Sequence, residues 1–573
     1  MPFSLTRAAL VALALATASP AAVTAQQSLG AYLAGRIALA NSDYAEAAQY
    51  FNEALLADPG NPGLMEELVL TLLALGEVGR AVPVAEMIEE MGLRSQVAHM
   101  VTVAHLVETE EFRELLSRNP DEFGIGPLID GLLAGWSEIG AGSVQAGLTR
   151  FDAVASQEGL RSFALFQKVL ALAMVGDYEQ AEAIFADPAG GLSVLTRRAA
   201  MARAEVLSQL GRNEDALQLL QDAFGAGGFD PSLEAMAEVL ADGETLPFTH
   251  VTSVQDGMAE VFFTLSQALN GEASDEYALI YARMAQYLRP DHIDALLLSA
   301  DLLEDLGQYD LAVEAYAQVP RDHPDFHAAE LGRAAALRGA GRVDTAIEVL
   351  DRLSRDYPDL ASVHTALGDL LRQQERYGDA AAAYDRALAE TAEGAQGRWF
   401  LLYARGICYE RMDEWELAEA DFRAALALNP DQPQVLNYLG YSLVEKRIKL
   451  TEALAMIEQA VAARPDSGYI VDSLGWVLYR LGRYDEAVGH MEKAVELMPV
   501  DPVVNDHLGD VYWAVGRYRE AEFQWRRALS FINPEDMDAE ADPDRIRRKL
   551  DVGLDVVLEE EGSDPLSVAT DDG

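Results

Sequence analysis

The sequence predicts an all-α solenoid, a right-handed superhelix of antiparallel helix pairs with about 13 to 14 repeats. Three observations carry that reading. Alanines at 47, 81, 146, 181, 216, 278, 312, 346, 380, 418, 453, 487 and 521 recur mostly at 34 or 35 residues, the kind of fixed period that marks stacked-repeat architectures. Prolines keep the same beat: Pro290, Pro324 and Pro358, then Pro430, Pro465 and Pro499, close successive units. Half of the residues are apolar and only 8% aromatic, a balance that suits Ala- and Leu-rich helices better than sheets.

The stretch from Tyr469 to Pro499 gives each position a physical task. Apolar residues at helical spacing mark a first helix, and small Gly475 within it lets a second helix approach closely. Gly482 ends that helix, because a residue without Cβ takes the left-handed conformation of a short C-cap. Asp485 and Glu486 open the second helix, where negative charge suits the helix dipole. Ala487 and Ala494 keep the facing surface thin, and Pro499 stops the pair. Neither helix buries enough alone, so stability comes from stacking on neighbouring pairs. The Gly475, Gly482, Ala487 and Pro499 pattern resembles one 34-residue tetratricopeptide unit, which makes the expected fold a tetratricopeptide-repeat α-solenoid.

In chain order, residues 1–25 read as an export signal: Arg7, an apolar run from Ala8 to Ala18, a Pro20 break and Val23-Thr24-Ala25 before Gln26. Cleavage after Ala25 implies export, most simply to the periplasm of a Gram-negative bacterium. The only cysteine, Cys408, lies deep in the chain, so no disulfide is expected and no lipid-bearing cysteine stands near the cleavage site. No later apolar run reaches the ~18 residues of a membrane span. Residues 26–224 form an N-terminal array whose clearest unit spans Ser28 to Gly60, with a second around Leu68 to Gly92. His99 to Asn119 is helical in pattern but degenerate, a hidden fourteenth unit, and Gly124-Ile125-Gly126-Pro127 breaks it. Three looser units centre on Ala146, Ala181 and Ala216.

The register slips across 225–257, where a Gly-rich patch precedes a short helical run at Leu233 to Leu240 and an extended stretch at Leu246 to His250. That segment is either a hinge or lid between two sub-arrays or a degenerate repeat. From 258 to 534 the period is strict, apart from a four-residue excess near Glu393 to Gly397. Residues 535–558 are expected to form a capping helix bearing Arg545, Arg547, Arg548 and Lys549, since an array needs a polar outer face at its end. The acidic run 559–573 is expected to be disordered.

Little in the sequence points to catalysis. The nine histidines are scattered outside any zinc-binding pattern, and His323 and His327 are separated by Pro324 at a repeat boundary. Glycines 225, 227 and 228 lead to no lysine, which argues against a phosphate loop, and no serine-nucleophile motif occurs. No metal, no cofactor and no catalytic residue is therefore assigned. A formal charge of −51, from 94 acidic and 43 basic residues, excludes phosphate-backbone binding as the main task. A non-catalytic protein-binding scaffold is the expected class.

The runs Asn437-Tyr438-Leu439-Gly440-Tyr441, Asp472-Ser473-Leu474-Gly475-Trp476 and His507-Leu508-Gly509-Asp510-Val511-Tyr512-Trp513 resemble the C-terminal repeats of bacterial cell-envelope tetratricopeptide proteins. The nearest likeness is to a lipoprotein adaptor that binds a carboxyl-terminal processing protease and presents cell-wall hydrolases to it. It covers about the last third of the chain, and Gln26 stands where that adaptor has its lipidated cysteine. The resemblance implies a peptide groove lined by first-helix positions at fixed offsets from the opening glycine. Carried onto this chain, these are Tyr403 and Ile407; Asn437 and Tyr441; Tyr469, Asp472, Trp476 and Tyr479; and Asp506, Asp510 and Trp513. Aromatic rings with carboxylate and amide groups suit an extended peptide; Tyr438 and Tyr512 are read as inter-helix packing, and Trp476 as either packing or groove. Few cations line the stripe, so a basic or neutral segment fits it better than a free carboxylate. The implied partners are other proteins or extended peptides, among them a periplasmic protease and cell-wall hydrolases; the alternative is a structural subunit of an envelope export or polysaccharide machine.

Overall fold

The computed structural model describes residues 20–187, 192, 195–225, 230–532 and 541–562, with side chains from Leu29 onward. The expected signal run up to residue 19, most of the Gly-rich patch, the unit end at Pro534 and the tail beyond 562 lie outside them. Among the described residues there are 32 helices and no strand, and consecutive helices pack as antiparallel pairs. The chain divides into two compact units, Met1–Leu353 and Ser354–Gly573, each considered by itself.

The repeat chemistry acts as its residue types dictate. Twelve of the thirteen periodic alanines are fully buried, each in the first turn of a second helix. The exception corrects the register in one unit: Ala146 is only half-buried, and Gly147 takes the buried position. A Cβ on Gly147 would lie 2.5 Å from the Gly135 carbonyl oxygen, so even alanine is too large there. Measured to Gly147, the spacing to Ala181 is the regular 34 residues. First-helix glycines face a large side chain from the second helix, as with Gly406 against Phe422 and Gly368 against Tyr384, where a Cβ would stand 2.7 and 2.8 Å from the ring. Left-handed residues end the first helices, Gly482 at φ 76° among them, but Glu375 and Asp413 hold the same conformation without glycine's freedom. The degenerate stretch does form a pair, Gln96–Glu108 with Phe112–Ser117.

In the first unit the chain returns on itself. Helix Val254–Leu269 lies on the pairs beginning with Pro127–Gly140 and Arg161–Met174. There the bare Gly257 meets the fully buried indole of Trp136, and Trp136 Nε1 donates to Gln167 at 2.8 Å. Its partner helix Asp275–Leu288 packs on Pro62–Ala74 and Gln96–Glu108. Tyr277 OH donates to Gln96 at 3.3 Å, 181 residues away in sequence, and the Arg283 guanidinium is buried against Gly76. The inner face of these early repeats is thus covered by a later repeat of the same chain.

Within 225–257 the described part is helix Pro231–Ala241 followed by an extended segment. That segment is clamped: the Glu205 carboxylate accepts from Thr249 N at 2.9 Å and Thr249 Oγ1 at 2.7 Å and pairs with His250 Nδ1 at 2.8 Å. Arg289 donates to the His250 carbonyl oxygen at 2.6 Å. Behind it Arg198, its side chain 12% exposed, bridges Glu260 and Asp294. Burial pushes the Glu205, Glu260 and Asp294 carboxyls up, but the paired cations and hydrogen bonds outweigh it and hold all three below the usual carboxylate range.

At the C-terminus the single expected capping helix is two. Gly553, at φ 88°, separates Pro543–Val552 from Leu554–Glu560. A side chain at Gly553 would also strike Trp513, so the break lets the chain turn closely over that indole.

Candidate peptide-binding groove

The inner face of the second unit is built from first helices that present every third or fourth residue along one side. Four of the eleven residues singled out by offset, Asn437, Tyr441, Tyr469 and Asp472, surround one cavity of about 610 Å³, together with Glu410, Tyr438, Lys446 and Asp501. Tyr469 is the most open ring of the set, 53% exposed. The Asn437 side-chain oxygen is shielded from solvent and has no hydrogen-bond donor.

Tyr403 and Ile407 are half-buried and stand apart from that cavity. Tyr403 packs edge-on against Tyr438 at 5.9 Å and tilts on Phe422 at 6.1 Å; burial pushes its hydroxyl pKa up to about 12.

The remaining five residues correct the expectation of an open aromatic stripe. Trp476 and Tyr479 are 9% and 7% exposed and belong to a stack rather than a contact surface. His507 lies parallel to Trp476 at 3.9 Å, and Tyr479 covers the same indole at 4.8 Å. Trp476 Nε1 donates to Glu445 at 2.9 Å, and His507 Nδ1 pairs with Asp472 at 3.0 Å. The stack ties three consecutive repeats together, which is why the rings are withdrawn from the groove. Asp506 and Asp510 are buried beneath Lys549 of the cap, whose fully buried ammonium lies 2.9 Å from both Asp506 oxygens and 2.6 Å from Asp510. Burial, with Asp510 adjacent, keeps the Asp506 carboxyl pKa above its ordinary value against the pull of Lys549. Trp513 Nε1 donates to Asp555 of the cap at 2.9 Å. The chain's own C-terminal helices thus occupy the inner face of the last repeat.

The cavity also contains residues the offsets could have supplied. Glu410 stands at the fourth position after Gly406, and Val503 six before Gly509; both line it. Tyr438, half-buried, both packs between helices and reaches the cavity wall, with its OH 3.4 Å from Glu410. Burial and Glu410 raise its pKa. Glu445, Lys446 and Asp501 sit at helix ends outside the offset rule and carried no separate signal.

Family models described as tetratricopeptide repeat match residues 38–100, 297–361, 333–395, 365–405, 399–432 and 471–499. Among curated proteins, TPR repeat-containing protein PA4667 of Pseudomonas aeruginosa is 37% identical over 83 residues, 14% of this chain and 14% of that protein. Among solved structures, the APC/C hetero-tetramer Cut9–Hcn1 is 16% identical, covering 91% of this chain and 96% of that one at a TM-score of 0.37. A tetratricopeptide repeat protein from Parabacteroides merdae is also 16% identical, covering 45% and 97% at a TM-score of 0.37. With paired helices through most of the described residues and repeat models matching in both units, the fold is a tetratricopeptide-repeat α-solenoid.

Proposed function

We propose that this chain is a non-catalytic scaffold or adaptor of the bacterial periplasm that holds partner proteins through the inner face of its second unit. The observation that carries the proposal is selective openness. The early repeats are covered by Val254–Leu269 and Asp275–Leu288, and the last repeat by Pro543–Glu560, while the cavity at Asn437, Tyr441 and Tyr469 is left accessible. Repeat units of this kind bind extended segments along the concave side. The likeness of the last third to an envelope adaptor supports a narrower reading, in which the bound protein is presented to a processing protease.

The test is affinity capture from periplasm with tagged wild type and a Tyr441→Ala, Tyr469→Ala double variant. Wild type is expected to capture a defined partner set that the variant loses at unchanged melting temperature; identical sets would overturn the groove assignment. Mass spectrometry of the exported chain is expected to find Gln26 at its start, and an unprocessed, cytoplasmic chain would contradict the location.

A further inference from the structure

The last repeat contains a filled example of how this inner face takes a ligand group. Lys549 is fully buried, with its ammonium between the carboxylates of Asp506 and Asp510 and 5.7 Å from the centroid of the Trp525 ring. Asp506 and Asp510 stand three before and one after Gly509, the same offsets that Asn437 and Tyr441 hold around Gly440 in the open cavity. The lysine comes from outside the repeat, 43 residues beyond Asp506, so the arrangement is a docked segment rather than an element of the helix pair.

The open cavity has related chemistry in its wall. Glu410, Glu445, Asp472 and Asp501 supply four carboxylates to its wall against the cations of Arg411 and Lys446. Lys446 is directed over the Trp415 ring at 5.0 Å, and Arg411 is paired with Glu410 at 3.9 Å. Tyr441 and exposed Tyr469 supply ring faces. Carboxylates with aromatic faces favour an ammonium or guanidinium group.

We propose that this cavity takes the side chain of a lysine or arginine from the segment of a partner protein bound in the groove. The proposal rests on the groove reading above and names the residue class that the groove selects. The basic group sits against Glu410 and the tyrosine faces, as Lys549 sits against Asp506, Asp510 and Trp525 two repeats further on.

The experiment is selection of random twelve-residue displayed peptides on the full chain, followed by fluorescence anisotropy of the selected peptides. Selected binders are expected to share a Lys or Arg at one position. Replacing that residue in the peptide by Met is expected to weaken binding at least ten-fold, and Glu410→Arg in the protein to abolish the preference. Because the Met replacement leaves the protein untouched, its outcome is independent of folding. Binders that depend on Tyr441 and Tyr469 but share no basic residue would overturn this proposal while leaving the groove in place. No binders, or binders indifferent to those tyrosines, would overturn both.

Discussion

Lys549 is one of five lysines in the chain, and it is fully buried between two carboxylates. Removing one side of a buried charge cluster leaves the other uncompensated, which costs about 3 to 5 kcal/mol. Lys549→Met is therefore expected to undock the cap, read as lost hydrogen-exchange protection over 541–562 and a lower melting temperature. Gly509→Ala belongs to the same site: its Cβ would overlap Trp525, a buried indole held by its Nε1 bond to Asp510 at 2.9 Å. Overpacking of that kind costs about 1 to 3 kcal/mol, and chemical denaturation measures it. Glu375→Gly is expected to act the other way. Glu375 sits at φ 57°, where a side chain costs ~1–2 kcal/mol and glycine loses ~0.5–1 kcal/mol of chain entropy, so a gain of up to about 1 kcal/mol should appear in the same assay. At this scale the sequence was informative about type and less so about place. The periodic alanines identified twelve buried contacts, but Ala146 was one residue out because Gly147, not an alanine, fills that contact.

Ala487 is fully buried in the second helix of its pair. Ala487→Leu should overpack that contact by ~1 to 3 kcal/mol, and an unchanged melting curve would mean that the helix register is wrong there. The clamp on 246–250 has a pH dependence with a definite sign. Glu205, Glu260 and Asp294 have carboxyl pKa values below their ordinary ones, chiefly because paired cations and hydrogen bonds overcome burial. Their stabilisation is present above the usual carboxyl range and is lost as pH falls through the lowered values. His292, pushed down by burial and by Arg198, acts in the same direction, because the unfolded chain takes up its proton first, from about pH 6.5 downward. Acidification from neutral pH towards 3 is expected to release the extended segment, seen as faster hydrogen exchange at 246–250, and Glu260→Gln should remove part of that dependence. Most helix pairs, with the helix and extended segment of 225–257, were legible from periodicity, while the clamp was not, since its partners lie 39 to 96 residues apart in a pattern no period encodes.

Repeat patterns specify nearest-neighbour stacking, so the number and spacing of helix pairs could be read directly. What they leave open is whether an inner face is filled. Val254–Leu269 carries the same first-helix signature whether it stacks on a neighbour or crosses to Pro127–Gly140, and the deciding contact, bare Gly257 against Trp136, joins residues 121 apart. The groove offsets were implied by the resemblance to tetratricopeptide proteins, and Asn437, Tyr441, Tyr469 and Asp472 do meet at one cavity. Burial of Trp476 and Tyr479 depended on stacking with His507 of the following repeat, and burial of Asp506 and Asp510 on a lysine beyond the array. The central claim is that partners are held at the open cavity of the second unit. Its most direct measurement is photo-crosslinking from benzoylphenylalanine placed singly at positions 441, 469 and 33 in the exported chain. Position 33 serves as the control because Leu33 is exposed in the first unit, on the helix Pro20–Ala40. The account predicts the same crosslinked partner from 441 and 469 and none from 33; crosslinks from 33 alone would contradict it.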